Sequence, residues 1–206
     1  MGITQNTLLP VGFTMNEFER VGYVKVTEMF EKPLISIVSE YFENKLARGE
    51  IAIRRNLNTE ADPTSISYYA DPLIEVLLKK ASSFVSKTIQ EEVIPTYSYF
   101  RVYRFGEKLS KHVDRESCEV SVTVNVALTE GKNKIYMQLP NQPETGFELT
   151  PGDAVIYKGC EVTHWREPLE QNQILVQFML HYVKKNGPYA AFAFDGRSRL
   201  GADSCR

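Results

Sequence analysis

Between Leu34 and Leu46 apolar side chains recur at Leu34, Ile35, Ile37, Val38, Tyr41, Phe42 and Leu46. That is the spacing of one face of an α-helix, and Gly49 supplies its stop. A second helix is predicted from Asp71-Pro72, an N-cap followed by proline at the first helical position. It carries Leu73, Ile74, Leu77, Leu78, Phe84, Val85 and Ile89 towards Val93, and Pro95 marks its end. Ahead of these helices, residues 1–13 read as an irregular arm and Asn16 to Arg20 as one helical turn. Gly22 to Val26 forms a short strand. The polar stretch from Ile51 to Ser67, with Asn56, Asn58 and Asp62-Pro63, reads as loop.

From Tyr97 the period changes. Ser98 to Phe105 is aromatic and β-branched, and Gly106 turns it. Val120 to Leu128 alternates cleanly, with Val120, Val122, Val124 and Val126 on one face and Ser121, Thr123 and Asn125 on the other. This predicts a half-buried strand with a polar second face. The valines are expected to pack outward against the Leu73–Val93 helix, leaving Thr123 and Asn125 to line a cavity. Lys134 to Leu139, Phe147 to Leu149, Asp153 to Tyr157 and Gln173 to Val183 are further strands. Two helices followed by about seven short strands imply a mainly β fold with supporting α-helices, a double-layered barrel rather than a βαβ sheet. A single domain over 1–206 divides into a helical support layer (1–95), a barrel core (97–183) and a tail or lid (184–206).

Composition narrows the class. The chain is 43% hydrophobic and 24% charged, enough for one sizeable core. A formal net charge of -2 gives no electrostatic case for nucleic acid or an anionic membrane. No apolar run approaches the roughly 18 residues of a membrane span, and the first residues lack the pattern of a signal peptide. Cys118, Cys160 and Cys205 are scattered without C-x-x-C spacing, which argues against a disulfide framework or zinc finger. A reducing cytoplasm is the expected location.

The chemistry concentrates at Lys111-His112-Val113-Asp114 and at His164. In an extended strand, residues two apart share a face, so His112 and Asp114 present an imidazole and a carboxylate together. With His164 they supply two histidines and one carboxylate, the facial triad of non-haem ferrous sites. The bland alternative for His-x-Asp alone is a surface turn with a charged pair.

The flanking residues decide between them. Tyr103 to Asp114, reading Tyr-Arg-Phe-Gly-Glu-Lys-Leu-Ser-Lys-His-Val-Asp, resembles the prolyl-hydroxylase branch of the Fe(II)/2-oxoglutarate oxygenases. Leu149-Thr150-Pro151-Gly152-Asp153-Ala154-Val155-Ile156-Tyr157, followed by His164 and Pro168, resembles its second half. The resemblance covers about 97 to 183 and implies a double-stranded β-helix (jelly-roll or cupin-like) barrel backed by two N-terminal helices. It implies His112, Asp114 and His164 as iron ligands and Tyr103 near the co-substrate. It also implies 2-oxoglutarate and dioxygen as co-substrates, with succinate and carbon dioxide formed as the substrate is oxidised.

The chain departs from that family in one place. An Arg or Lys usually holds the far carboxylate of 2-oxoglutarate nine or ten residues after the distal histidine, where this chain has Gln173 and Ile174. Arg166 is the expected replacement, since in extended chain it shares the inward face with His164 and a guanidinium takes a carboxylate bidentately. Gln173 and Gln177, on one face of the last strand, add neutral hydrogen bonds, and Lys158 and Arg104 are weaker alternatives. Arg115 and Trp165 are candidate substrate contacts, although Trp165 also suits packing behind His164. His181 reads as structural. The substrate is expected to be a small amino-acid-like molecule or a peptide side chain. Two rival readings are an iron oxygenase using the same triad without 2-oxoglutarate, and a non-enzymatic cupin-like binding module.

Overall fold

The computed structural model describes residues 15–50 and 66–202. The predicted arm and most of the predicted 51–67 loop lie outside the described residues. The chain order is α1 (Met15–Val21), β1 (Tyr23–Val26), α2 (Lys32–Ala47), β2 (Ile66–Tyr69), α3 (Pro72–Ile89), β3 (Val93–Tyr103) and β4 (Leu109–His112). Then come β5 (Val120–Leu128), β6 (Lys134–Gln138), β7 (Thr145–Glu148), β8 (Ala154–Lys158), β9 (Thr163–Arg166) and β10 (Leu175–Lys184). Short 3₁₀ segments lie at Glu116–Cys118 and Ala190–Gly196.

Two antiparallel sheets face each other. The larger has the strand order β1-β8-β5-β10-β3-β2 and the smaller β4-β9-β6-β7. The outer face of the larger sheet carries the main core. There Val120, Val122, Val124, Phe178 and Leu180 pack with Ile35, Val38 and Phe42 of α2 and with Ile74, Leu78, Val85 and Ile89 of α3. Fully burying such side chains contributes about 1.5–3 kcal/mol each, so this layer dominates fold stability. The helix over β5 is α2, while α3 covers β3 and β10, which corrects the expected partner of the valines. Tyr182 fixes that placement by donating its hydroxyl to the Leu78 carbonyl at 2.9 Å. The second face of β5 is also buried, inside the barrel, rather than half-exposed.

Helix α3 begins where predicted, with Asp71 accepting from the amides of Leu73 and Ile74. Its end differs. Gln90 adopts the left-handed conformation (φ 56°) and closes the helix after Ile89, as C-terminal caps do. Pro95 therefore belongs to β3, at a position where the pairing with β10 is irregular. Leu180 pairs with Ser98 but Tyr182 pairs with Pro95, so Thr96 and Tyr97 together oppose His181. Such a bulge tolerates proline and re-aims the neighbouring side chains.

The Pro151-Gly152-Asp153 turn is a structural device. Gly152 has φ +93°, and a Cβ there would lie 2.4 Å from the Phe30 carbonyl oxygen, so only glycine fits. Asp153 accepts from the Glu28 and Thr150 amides and from the Thr150 hydroxyl. These bonds fix the start of β8.

Candidate metal centre and its cavity

His112 ends β4 and His164 lies in β9, and the two are paired across the small sheet. Asp114 sits beyond the end of β4, so the expectation that His112 and Asp114 share one strand holds only as far as His112. Val113 between them is exposed. Both imidazole Nε2 atoms lie 3.6 Å from Asp114 Oδ1, and the two rings are 4.2 Å apart between centroids. Each Nδ1 meets a backbone carbonyl two residues earlier, Ser110 at 2.8 Å and Val162 at 3.1 Å. Nδ1 is therefore the protonated nitrogen of each ring, and both Nε2 lone pairs converge on Asp114. Ligand atoms of the three residues all lie within 4.8 Å of one another.

Asp114 is held from several sides. Its amide donates to the Gly159 carbonyl at 2.8 Å, and its Oδ2 accepts from the Ser121 hydroxyl at 2.7 Å. Burial would raise its carboxyl pKa, but His164, His112, His181 and the Ser121 hydroxyl outweigh burial and hold it well below the usual carboxylate range. Burial pushes the His164 pKa down despite the pull of Asp114. The site thus presents one carboxylate to the two imidazole Nε2 atoms.

A cavity of about 350 Å³ opens beside this cluster. Strand alternation along β3 puts Tyr97, Tyr99, Arg101 and Tyr103 on its wall, and β10 adds Gln177, Met179 and His181. Thr123 and Tyr157 complete the deep side. The Tyr157 hydroxyl lies 3.4 Å from His164 Nε2 and 3.5 Å from Thr123 Oγ1.

Of the predicted co-substrate residues, Tyr103, Thr123 and Gln177 line the cavity and the others do not. Arg166 is buried next to it, donating from Nη1 to Asn133 Oδ1 at 3.0 Å and from Nη2 to Gln177 Oε1 at 2.9 Å. Burial lowers its pKa to about 10. Asn125 donates to the Leu149 carbonyl at 2.8 Å and ties β5 to the turn before β8. Gln173 accepts from the Glu170 amide at 3.0 Å and closes the loop before β10. Lys158 points away and pairs with Glu19, and Arg104 is exposed.

Of the two predicted substrate contacts, Arg115 lines the cavity and stacks 4.7 Å over the Tyr97 ring. Its Nη2 donates to Asp195 at 3.1 Å, so the 190–197 segment braces this wall. Trp165 does not reach the cavity. It lies on the outer face of β9, stacked on Tyr136 at 5.2 Å with Lys111 over its ring, as alternation from His164 requires.

Alternation puts Arg101 and Arg104 on opposite faces of one strand, so at most one can look into the site. The one that does is Arg101 rather than Arg104. Arg101 is buried on the cavity wall, paired with Gln177 across the strands, with its guanidinium over the Tyr99 and Tyr103 rings and no hydrogen-bond partner for its Nε among the described residues. The signal was present, because Arg101 is two residues from Tyr103 in one strand. Ser121 and Tyr157 were not assigned to the site either, although alternation along Val120 to Leu128 already put Ser121 on the same face as Thr123 and Asn125.

Two facing antiparallel sheets with a His-x-Asp and distal His cluster at one end define a double-stranded β-helix, the fold of solved non-haem Fe(II)/2-oxoglutarate oxygenases. One such structure is a prolyl-4-hydroxylase from Pseudomonas putida, 16% identical, with a TM-score of 0.64 over 82% of this chain and 96% of that one. The α-ketoglutarate-dependent epimerase SnoN of nogalamycin biosynthesis is 12% identical, with a TM-score of 0.69 over 93% of this chain and 91% of that one. EctD from S. alaskensis is 15% identical, with a TM-score of 0.65 over 82% of this chain and 75% of that one. No family model and no curated protein matches the sequence. Among the described residues no helix is long and apolar enough to cross a membrane.

Proposed function

We propose that the protein is a non-haem Fe(II)- and 2-oxoglutarate-dependent oxygenase that hydroxylates an unactivated C–H bond of a small amino-acid-like molecule or a peptide side chain. His112, Asp114 and His164 hold the iron. The observation that carries this reading is the convergence of the two Nε2 lone pairs on the Asp114 carboxylate. A largely enclosed carboxylate facing two imidazole Nε2 lone pairs calls for a cation between them, which a divalent metal supplies. When bound, the iron and its co-substrates supply the oxidising chemistry.

The chain's own residues bind and orient. Arg101 meets the far carboxylate of 2-oxoglutarate, being the arginine on the cavity wall level with Gln177. Arg166 acts behind it, holding Gln177 by its Oε1 on the cavity wall and leaving the amide N–H groups to donate to the co-substrate. Tyr103 and Thr123 add hydroxyls, and the Tyr157 ring packs against the His164 imidazole. Arginine, glutamine and tyrosine donors together satisfy a buried carboxylate in a way no single neutral group can.

The test is decarboxylation of 1-¹⁴C-labelled 2-oxoglutarate under air. Release of ¹⁴CO2 that requires Fe(II) and disappears in His164→Ala supports the reading. Iron binding with no 2-oxoglutarate consumption and no 2-oxoglutarate affinity points to an iron oxygenase independent of it.

A further inference from the structure

His181 is not used by the metal cluster, yet it lines the same cavity. Its Nδ1 lies 2.9 Å from Ser121 Oγ. Ser121 has one proton, and the ionised Asp114 carboxylate at 2.7 Å can only accept, so that proton goes to Asp114. The Ser121 oxygen must then accept from His181, which makes Nδ1–H the tautomer of His181. Nε2 is left as the lone-pair nitrogen, with no hydrogen-bond partner among the described residues. Burial also pushes the His181 pKa down to about 4, keeping the ring neutral.

The setting of Nε2 is specific. The bulge in β3 places Tyr97 against the imidazole at 4.6 Å, and Tyr97 is itself tied to Cys118 Sγ at 3.1 Å. The other charged or titratable groups around His181 are Asp114 through Ser121, Arg115 over Tyr97, His164, Asp195 and Cys118. Tyr97, Tyr99 and Met179 make the nearby wall largely apolar. A strand residue in a packed interior rarely leaves a polar atom aimed at a cavity unless something there donates to it.

We propose that His181 is a substrate-contacting residue, accepting a hydrogen bond through Nε2 from a hydroxyl or N–H of a small, apolar-bodied substrate. The inference deepens the oxygenase reading and rests on it for the identity of the site. The relay Nδ1–H to Ser121 to Asp114 ties substrate recognition to a ligand of the metal. A substrate lacking the donor would leave Nε2 buried and unpaired, a penalty that discriminates more sharply than apolar contact alone.

The experiment is ¹⁵N NMR of histidine-labelled protein loaded with Zn(II) and 2-oxoglutarate, titrated with phenol and then with anisole, which has the same ring without the donor. The expected result is His181 in the Nδ1–H tautomer, with its Nε2 signal moving upfield with phenol and not with anisole. Phenol should bind at least about fivefold more weakly to His181→Phe, and His181→Gln, which retains an acceptor, should recover most of the loss. An Nε2–H tautomer, an Nε2 signal indifferent to phenol, or equal phenol affinity in His181→Phe would overturn the proposal. His112 and His164 report separately in the same spectra. If Zn(II) leaves their Nε2 signals unmoved, the metal-site reading fails while the His181 result still stands or falls on its own signals.

Discussion

Gly159 lies against Asp114 so closely that a Cβ at Gly159 would sit 2.8 Å from Asp114 Oδ2 and 2.0 Å from the Cys118 carbonyl oxygen. The same glycine accepts the Asp114 amide through its carbonyl and donates its own amide to the Glu119 carbonyl at 3.0 Å. The loop bearing the carboxylate is thus seated on a residue with no side chain. Asp114 owes its position to this contact as much as to β4.

Gly159→Ala is therefore expected to displace the 114–118 loop. Backbone must move, since the nearest atom is a carbonyl oxygen rather than a flexible side-chain end. Iron affinity should fall by at least about tenfold, because ligand orientation of this kind commonly sets affinity by 10–100-fold, and thermal stability should drop as well. Equilibrium dialysis against Fe(II) under anaerobic conditions, with calorimetry alongside, checks both. Parent-like iron affinity would show that Gly159 does not seat Asp114.

Arg101 and Arg166 should separate by magnitude. A charge-assisted hydrogen bond contributes about 1.5–3 kcal/mol, so Arg101→Ala should raise the 2-oxoglutarate KM by at least about tenfold. Arg101→Lys should recover only part of this, because a point charge cannot reproduce the guanidinium fork. Arg166→Ala, acting through Gln177, should have the smaller effect on KM and a larger cost in stability, since it leaves Asn133 and Gln177 unpaired. A reversed order would make Arg166 the direct anchor.

Much of this molecule was legible in the residue pattern, for reasons that also mark the limits. The alternation across Val120 to Val126 located β5 to the residue, because one face meets helices and the other the barrel interior. Helix α3 was readable from Asp71-Pro72, whose capping is local. Its end was not, since a left-handed Gln90 carries no strong signature. Local pattern also could not say which helix covers β5, because that depends on how the sheet is ordered. Strand β9, only four residues long, was legible just as extended chain from His164 to Arg166, without bounds or a pairing partner.

The site shows the same division. His112, Asp114 and His164 stood out because few residue types make a metal ligand. Gln173 and Asn125 were placed by alternation, but Gln173 precedes β10 and Asn125 turns to the Leu149 carbonyl. Arg101 was accessible to the same alternation applied from Tyr103.

Trp165 offers a test of the barrel's two faces. It packs on Tyr136 outside the cavity, so Trp165→Ala should cost about 3 kcal/mol of stability, within the range for a buried aromatic. The iron stoichiometry should be retained. Loss of iron binding with unchanged stability would put Trp165 in the site after all.

The support layer makes a pH prediction. Lys45 lies 2.6 Å from Asp71, the cap of α3, and both are largely buried. Burial alone would lower the lysine pKa, but the hydrogen bonds and charge of Asp71 and Tyr41 raise it above the ordinary value. A raised lysine pKa stabilises the fold fully below the unfolded value of about 10.4 and loses that contribution as pH climbs through the folded value. The stability difference between the parent and Lys45→Met should stay flat from about pH 6 to about pH 9 and shrink above about 10.4. A difference that already shrinks near neutrality would mean that the pair is not formed. Denaturant titrations across that range measure it.

The most direct measurement is an anaerobic optical titration of the protein with Fe(II) in saturating 2-oxoglutarate. A visible charge-transfer band that saturates at about one iron per chain, requires 2-oxoglutarate, and is lost in each of His112→Ala, Asp114→Ala and His164→Ala is the predicted result. A protein that remains folded and shows no such band, or one that keeps the band without any one of those three side chains, would contradict it.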